Sequence, residues 1–143
     1  MPSDRGGLLG PLSGGSGADA EVSDRALLQA MLDAERGLAA ASARAGIVPD
    51  QVAAAIAGAC QADGFDPDDL GRRALGAGNP VVPLVRDLTE RVAGTAGEEA
   101  ARWVHHGATS QDIMDTAASL VAFRALGPIL NDLEGAGPGC GRP

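Results

Sequence analysis

The sequence has no tyrosine, no lysine and one tryptophan, and aromatic residues make up only 2% of its 143 positions. Its core must therefore be built from Ala, Leu, Val and Ile, and Ala-rich packing suits closely spaced helices better than a sheet. No segment shows the alternation of polar and apolar residues that is typical of a strand. The composition predicts one all-α domain, which at this length can bury a usable core.

Positive charge is also scarce. The 11 basic residues, all of them arginine, are outnumbered by 19 acidic ones, and the formal net charge is −8. Such a chain lacks the basic surface on which nucleic-acid binding depends. We therefore expect no nucleic-acid partner.

Cysteines and long apolar runs are few as well. Cys60 and Cys140 are too far apart in sequence to indicate a disulfide framework or a zinc site. The N-terminus has no basic start followed by an apolar run, and the uncharged apolar stretches are too short to cross a bilayer. We expect a soluble, cytoplasmic protein without a metal site and without a membrane partner.

Helical periodicity begins after a Gly- and Ser-rich stretch. We predict an irregular lead-in over residues 1–22, a helical domain over residues 23–133 and a Gly/Pro-rich tail over residues 134–143. The first helix has Ser23 as its N-cap and Gly46 as its stop. Its positions at three- and four-residue spacing are Leu27, Leu28, Met31, Leu32, Glu35 and Leu38.

Four further segments complete the predicted helices. The second carries Val52, Ile56 and Cys60 on one face and ends near Gly64, and the third is capped by Asp66 and runs to about Leu75. Loop residues 76–80 precede a helix that Pro83 can open, and residues 98–105 follow a turn at 94–97. A last helix from Ser110 or Asp112 runs to about Leu133, because each Gly or Pro of the tail would cost about 1 to 3 kcal/mol in a helix.

The most informative segment is His105-His106-Gly107-Ala108-Thr109-Ser110-Gln111-Asp112, which contains both histidines and leads into this last helix. Unpaired N–H groups at a helix start carry the positive end of the helix dipole and, with hydroxyl side chains, can hold a carboxylate. Helix capping alone is the simpler interpretation of Thr109 and Ser110, and both roles can hold together. The two histidines point in different directions, so only one can face a given pocket. The stretch Gly78-Asn79-Pro80, taken alone, is a stiff connection between helices.

The segment resembles the His-x-Gly-x-Thr-Ser-x-Asp stretch of the fumarase/aspartase superfamily. Together with Leu8-Leu9-Gly10-Pro11-Leu12, residues 23–33, Gly78-Asn79-Pro80 and Pro83-Leu84-Val85-Arg86, it resembles the bacterial 3-carboxy-cis,cis-muconate cycloisomerase branch, over about residues 8–133. The resemblance implies an all-α N-terminal domain, truncated where the long central helix bundle of a homotetramer begins.

The resemblance also implies the chemistry. Thr109, Ser110 and Gln111 would bind a substrate carboxylate, with His106 and Asn79 as nearby contacts, and no metal or organic cofactor is expected. The family reaction lactonises a carboxylated muconate in aromatic breakdown, and fixed donors are needed where charge grows in the transition state. No catalytic residue is assigned, because the family's second His-containing segment and its Gly-Ser-Ser-x-Met-Pro-x-Lys loop do not occur in this chain, which we expect to be inactive alone.

Two alternatives stay open. One is a fragment of an adenylosuccinate lyase or a related lyase, although those enzymes usually have a His-bearing stretch where this chain has Gly-Asn-Pro. The other is a stand-alone helical module that holds a small carboxylate or associates with a full-length homologue.

Overall fold

The computed structural model describes residues 17–140, and side chains as far as residue 136. This part of the chain is built from α-helices and one short 3-10 helix at Ala62–Gly64, with no strand, which confirms the predicted all-α class. The α-helices are α1 (Ala18–Glu21), α2 (Asp24–Arg44), α3 (Asp50–Ala59), α4 (Pro67–Ala77), α5 (Val81–Ala96), α6 (Glu98–Ala101) and α7 (Ser110–Cys140).

The ends of α2 follow from local side-chain and backbone chemistry. The Ser23 hydroxyl accepts the Ala26 N–H at 3.2 Å, which caps the first turn as predicted. At the other end Gly46 has φ +72°, donates to the Ala43 carbonyl and lets the Ile47 N–H bond the Ser42 carbonyl at 2.9 Å. This Schellman motif satisfies carbonyls that the last turn would otherwise leave unpaired.

Helix α2 lies at the centre of the fold, packed against α3, α7 and the 3-10 turn, while α5 packs against α3, α4 and α6. The largest fully buried apolar side chains come from α2, α3 and α5 with the residue after α3: they are Leu28, Leu32, Ile56, Cys60, Val81, Leu84, Leu88 and Val92. Only Leu, Ile, Val, Cys and Ala side chains with one Met form the buried cluster, so the scarcity of aromatics is reflected in the core.

Buried Cys60 also receives a polar contact from α2. The backbone carbonyl of Cys60 accepts a hydrogen bond from the Gln29 side-chain amide nitrogen at 3.3 Å, and the side-chain oxygen Oε1 of Gln29 accepts the Ala62 N–H at 2.9 Å. Burial, with the nearby Glu35 carboxylate, raises the pKa of the Cys60 thiol to about 12. One amide side chain thus satisfies two backbone groups where the chain leaves α3.

Several predicted boundaries were wrong. The lead-in is not irregular throughout, since Ala18–Glu21 forms α1, which packs on α7; residues 1–16 lie outside the described residues. The second helix ends at Ala59 rather than near Gly64, because a 3-10 turn takes over. The helix predicted to open at Pro83 begins at Val81, and the segment 98–105 is helical only to Ala101.

The predicted stop near Leu133 was also wrong, because α7 continues through Gly135 and as far as Cys140. Extending a formed helix requires no new nucleation, and glycine costs only about 1 kcal/mol per residue relative to alanine. The preceding turns of α7 therefore carry the helix across Gly135 and Gly137, and Pro138, which would cost about 3 kcal/mol in a helix interior, lies in its last turn. Residues 141–143 lie outside the described range.

Helix α7 is unusually apolar. Residues Ser110–Ala136 are long and apolar enough to cross a membrane by length and composition, with a mean hydropathy of 1.4. Charged residues, among them Asp115, Arg124 and Asp132, interrupt its uncharged runs, which is why no membrane-spanning stretch was predicted from the sequence. Core helices of soluble proteins pass the same test, so the feature is weak evidence for a membrane.

Candidate functional site

The start of α7 is a reciprocal capping box. The Thr109 N–H and the Thr109 hydroxyl both donate to Oδ2 of Asp112, at 2.8 and 2.9 Å, and the Asp112 N–H points back to the Thr109 hydroxyl at 3.4 Å. These bonds from Thr109 hold the pKa of the Asp112 carboxyl below its usual range. The capping role proposed for Thr109 is therefore present, with an internal carboxylate at the helix start.

The next two residues occupy the first turn of α7. Ser110 is half-buried, and Gln111 is exposed and donates from its amide nitrogen to the Asp115 carboxylate at 2.6 Å. The hydroxyl of Ser110 and the first backbone N–H groups of α7 lie on the same turn as Thr109. This turn is the part of the predicted carboxylate site that offers donors.

The two histidines lie in different environments, as the doublet predicted. His106 is exposed and meets the half-buried Trp103 ring edge-on, with ring centroids 4.8 Å apart and an interplanar angle of 66°. Such a contact fixes the ring at the surface. His106, the histidine predicted to contact substrate, is therefore available to solvent at the approach to α7.

His105 instead points into the protein. Its Nδ1 lies 2.6 Å from Oε1 of Glu35, in the middle of α2, and its backbone has φ +59°. Glu35 is 1% exposed and is the only charged side chain among the described residues that is buried. The contact joins positions 70 residues apart in sequence, α2 and the turn that leads into α7.

Burial dominates the electrostatics of this pair. It raises the pKa of the Glu35 carboxyl, and the hydrogen bond and charge of His105 oppose this shift. The second carboxylate oxygen, Oε2, has no partner among the described residues. An unsatisfied buried carboxylate oxygen is costly, so His105 is the contact that makes this burial tolerable.

Asn79 lies at the start of a different helix. Its side-chain oxygen accepts the N–H groups of Val81 and Val82 at 3.0 and 3.2 Å, so it caps α5. Among the described residues, no hydrogen bond joins Asn79 to the segment 105–112. The structure brings together Thr109, Ser110 and Gln111, places His106 three residues before Thr109, and places Asn79 at the start of another helix, α5.

A groove lies beside this segment, between α2 and α7. Its volume is about 480 Å³, and its walls are mostly apolar. It is lined by Asp33, Ala34, Gly37, Leu38, Ala41, Ala108, Asp112, Ile113, Thr116 and Leu120. The Asp33 carboxylate is paired with Arg124 at 2.6 Å and with Arg36, and these contacts lower its pKa against the opposing effect of burial.

Glu35 was not among the predicted site residues. Its position on the apolar face of the first helix was the available signal, because a buried carboxylate needs a partner. Within residues 17–136, no group of three His, Cys, Asp or Glu side chains is placed to hold a metal ion.

Comparison with known families gives the class of protein. Residues 18–135 match the family model described as "Lyase", and the chain belongs to this family. The matched residues include helices α1 to α6 and α7 as far as Gly135, and therefore also the capping box.

Particular relatives are similar at the level of sequence. The chain is 46% identical to a nitrosuccinate lyase of Streptomyces davaonensis, over 90% of this chain and 27% of the relative. It is 48% identical to a 3-carboxy-cis,cis-muconate cycloisomerase of Pseudomonas aeruginosa, over 80% of this chain and 25% of the relative. The chain therefore spans about a quarter of the length of these relatives, in their N-terminal part.

A solved structure agrees with this similarity. The 3-carboxy-cis,cis-muconate lactonizing enzyme of Pseudomonas putida superposes with a TM-score of 0.83 at 44% identity, covering 88% of this chain and 28% of that enzyme. The predicted resemblance to the N-terminal part of these cycloisomerases is confirmed, and so is the all-α class of that part.

Proposed function

We propose that this chain is the N-terminal domain of a 3-carboxy-cis,cis-muconate cycloisomerase and supplies the turn that binds a substrate carboxylate. The observation that carries the proposal is the 43 to 48% identity to four enzymes of that name. The matching backbone of the Pseudomonas putida enzyme supports it, with a TM-score of 0.83.

The first turn of α7 offers the chemistry that this role needs. Thr109, Ser110 and Gln111 place two hydroxyls and an amide beside unpaired helix N–H groups. In lactonisation one carboxylate adds to the double bond conjugated with a second carboxylate, so negative charge develops on that second carboxylate until a proton is added at carbon. Donors fixed before the reaction stabilise this charge without reorganisation. His106 and Asn79 are the further contacts in this proposal.

A carboxylate of the protein itself competes with a ligand for the donors of this turn. The Asp112 carboxylate already receives both donors of Thr109. In the proposal, Thr109 therefore holds the turn in shape, while Ser110 and the next N–H groups face the ligand. Substrate would be a small carboxylate, and neither metal nor organic cofactor is required.

We also propose that the chain alone has little or no activity and acts within a homotetramer, in the cytoplasm. The resemblance implies that each active site combines segments of several subunits, and the second histidine segment and the Gly-Ser-Ser loop are not in this sequence.

The test is complementation. Turnover of 3-carboxy-cis,cis-muconate is followed by absorbance for the chain alone, for a full-length homologue lacking its own Thr-Ser site, and for the mixture. We expect turnover only in the mixture, and its loss with Ser110→Ala. Ser119→Ala is the matched control, because this exposed serine on the same helix only bonds the Asp115 carbonyl. Turnover by the chain alone, or an inactive mixture, would contradict the proposal.

Nitrosuccinate elimination is the second candidate, because the relative of that name matches more of this chain at nearly the same identity. Running the complementation assay with each substrate separates the two reactions. The adenylosuccinate lyases match at 36% identity and over less of the chain, so their reaction ranks lower. A monodisperse chain that binds a carboxylate but never complements would favour the stand-alone module.

A further inference from the structure

The turn before α7 has few backbone hydrogen bonds of its own. Between His105 and Thr109, the backbone hydrogen bond is a long one, from the Ala108 N–H to the His105 carbonyl at 3.5 Å. Both His105 and Gly107 have positive φ, +59° and +79°. A backbone of this kind is held by its surroundings rather than by its own hydrogen bonds.

His105 is the only non-glycine residue among those described that has a positive φ. A β-carbon in the left-handed region costs about 1 to 2 kcal/mol, and glycine or asparagine would avoid most of this cost. The imidazole at this position supplies an interaction that neither of these residues would make. That interaction is the 2.6 Å contact with Glu35.

Helix α2 gives Glu35 a fixed position. The residue lies near the middle of a 21-residue helix and is flanked in the core by fully buried Leu32 and by Ala39. Its carboxylate is thus a rigid acceptor, and the histidine ring is only 18% exposed at its side chain. With Glu35 ionised, its carboxylate can only accept, so Nδ1 carries the N–H and Nε2 is the nitrogen without the proton in the neutral ring.

We propose that Glu35 is a positioning residue: it receives the Nδ1–H of His105, fixes the ring's tautomer and left-handed backbone, and thereby sets the start of α7 at Thr109 and Ser110. The functional part of this inference rests on the proposed carboxylate site. The geometric part does not, because it concerns the free chain.

The first test is the tautomer of His105 in the unmodified chain, read from ¹⁵N chemical shifts of the labelled imidazoles. We expect the Nδ1–H form for His105, with exposed His106 as the internal reference. A His105 ring in the Nε2–H form, or a ring that exchanges between both forms, would overturn the proposal. This measurement needs no variant and is decisive even if every substitution impairs folding.

The second test separates positioning from stability. Glu35→Met has a similar length but no acceptor, whereas Glu35→Gln keeps a carbonyl acceptor without the charge. We expect Glu35→Met to lose the Nδ1–H tautomer and to shift the amide resonances of residues 105–112, and Glu35→Gln to restore much of both. Replacing a buried charge by an apolar group can leave stability unchanged, so a purely structural role predicts no such pattern.

The matched control is Glu99→Gln, in which an exposed carboxylate near Arg102 becomes an amide. It should leave the imidazole and amide signals of residues 105–112 in place. Wild-type amide positions in Glu35→Met, or equal shifts in Glu99→Gln, would overturn the proposal.

The functional consequence is read in the complementation assay. Displacing a binding group by about 1 Å can cost on the order of 100-fold in rate, so Glu35→Met should lower turnover by up to that factor. If the wild-type mixture is inactive while the tautomer is as expected, the proposed function fails and the positioning role stands. If Glu35→Met complements fully, the positioning role fails and the proposed function stands.

Discussion

Two carboxylates contact the same short segment and behave in opposite ways. Glu35 is sealed in the core and meets His105, and burial raises its pKa. Asp112, seven residues after His105, is exposed and accepts both donors of Thr109, which lower its pKa. Loss of water outweighs hydrogen bonding for Glu35, whereas for Asp112 the hydrogen bonds from Thr109 outweigh the loss of water.

The start of α7 is held by two different contacts. The buried contact of His105 with Glu35 joins the segment to α2 across 70 residues of sequence. The exposed contact of Thr109 with Asp112 joins two residues of the same segment that are three positions apart. The long-range contact sets where α7 begins in space, and the local contact sets at which residue it begins. Removing the contact with Glu35 should therefore have different effects from removing the contact with Asp112.

The largest effect is expected for His105→Gly. Glycine relieves the left-handed strain but leaves the Glu35 carboxylate buried without its partner, and we expect a loss of about 3 kcal/mol in the free energy of unfolding at pH 7. The measurement is urea unfolding followed by circular dichroism. The loss should shrink as the pH falls through the raised pKa of Glu35, because a proton on the carboxyl removes the buried charge. A loss that does not change with pH would show that strain and packing, not the carboxylate, determine the result.

The pH dependence should differ in sign between the two acids. The raised pKa of Glu35 makes its contribution to stability complete below its usual value of 4.5 and lost as pH rises through the folded-state pKa. The lowered pKa of Asp112 makes its contribution complete above its usual value of 3.8 and lost as pH falls through the folded-state pKa. Unfolding free energies of Glu35→Gln and Asp112→Asn, each subtracted from wild type between pH 3 and 7, should therefore slope oppositely; parallel slopes would refute the comparison.

A smaller effect is expected for Thr109→Ala, which removes the hydroxyl of the capping box. We expect a loss of about 1 kcal/mol in the free energy of unfolding. Thr95→Ala, in the last turn of α5, is the control, because its hydroxyl bonds only carbonyls of its own helix and caps no N–H group. If both variants lose the same stability, the capping box contributes nothing specific.

The smallest effects are expected from two glycines. Gly107 has φ +79°, so Gly107→Ala should destabilise the turn by about 1 kcal/mol. Gly37 lies near the middle of α2 with open space where a β-carbon would be, so Gly37→Ala should stabilise the protein by up to about 1 kcal/mol. Thermal melting of both variants checks the opposite signs; a stabilising Gly107→Ala would mean that the turn does not require its left-handed backbone.

Local signals in the sequence predicted local features of the fold. Ser23, Asp66 and the segment at Thr109 start helices, and Gly46 ends one, because each acts on backbone groups within three or four residues. The extension of α7 beyond Leu133 was missed because glycine and proline penalties were considered apart from the long helix that they continue.

The candidate site was predictable only in part. The donors of Thr109, Ser110 and Gln111 are adjacent in sequence, so their proximity in space was assured. Asn79 was associated with them by resemblance alone, and in the structure its side chain caps α5. The contact of Glu35 with His105 joins segments far apart in the chain, and no periodicity links their positions.

Buried Cys60 provides a probe of how often the core opens. Only a thiolate attacks alkylating reagents readily, and this thiol is fully enclosed with a pKa of about 12. In a chain whose other cysteine is replaced, the rate of modification would count how often the contact between α2 and α3 opens. The labelling rate would thus measure the local opening rate of the helices that hold Glu35 in place.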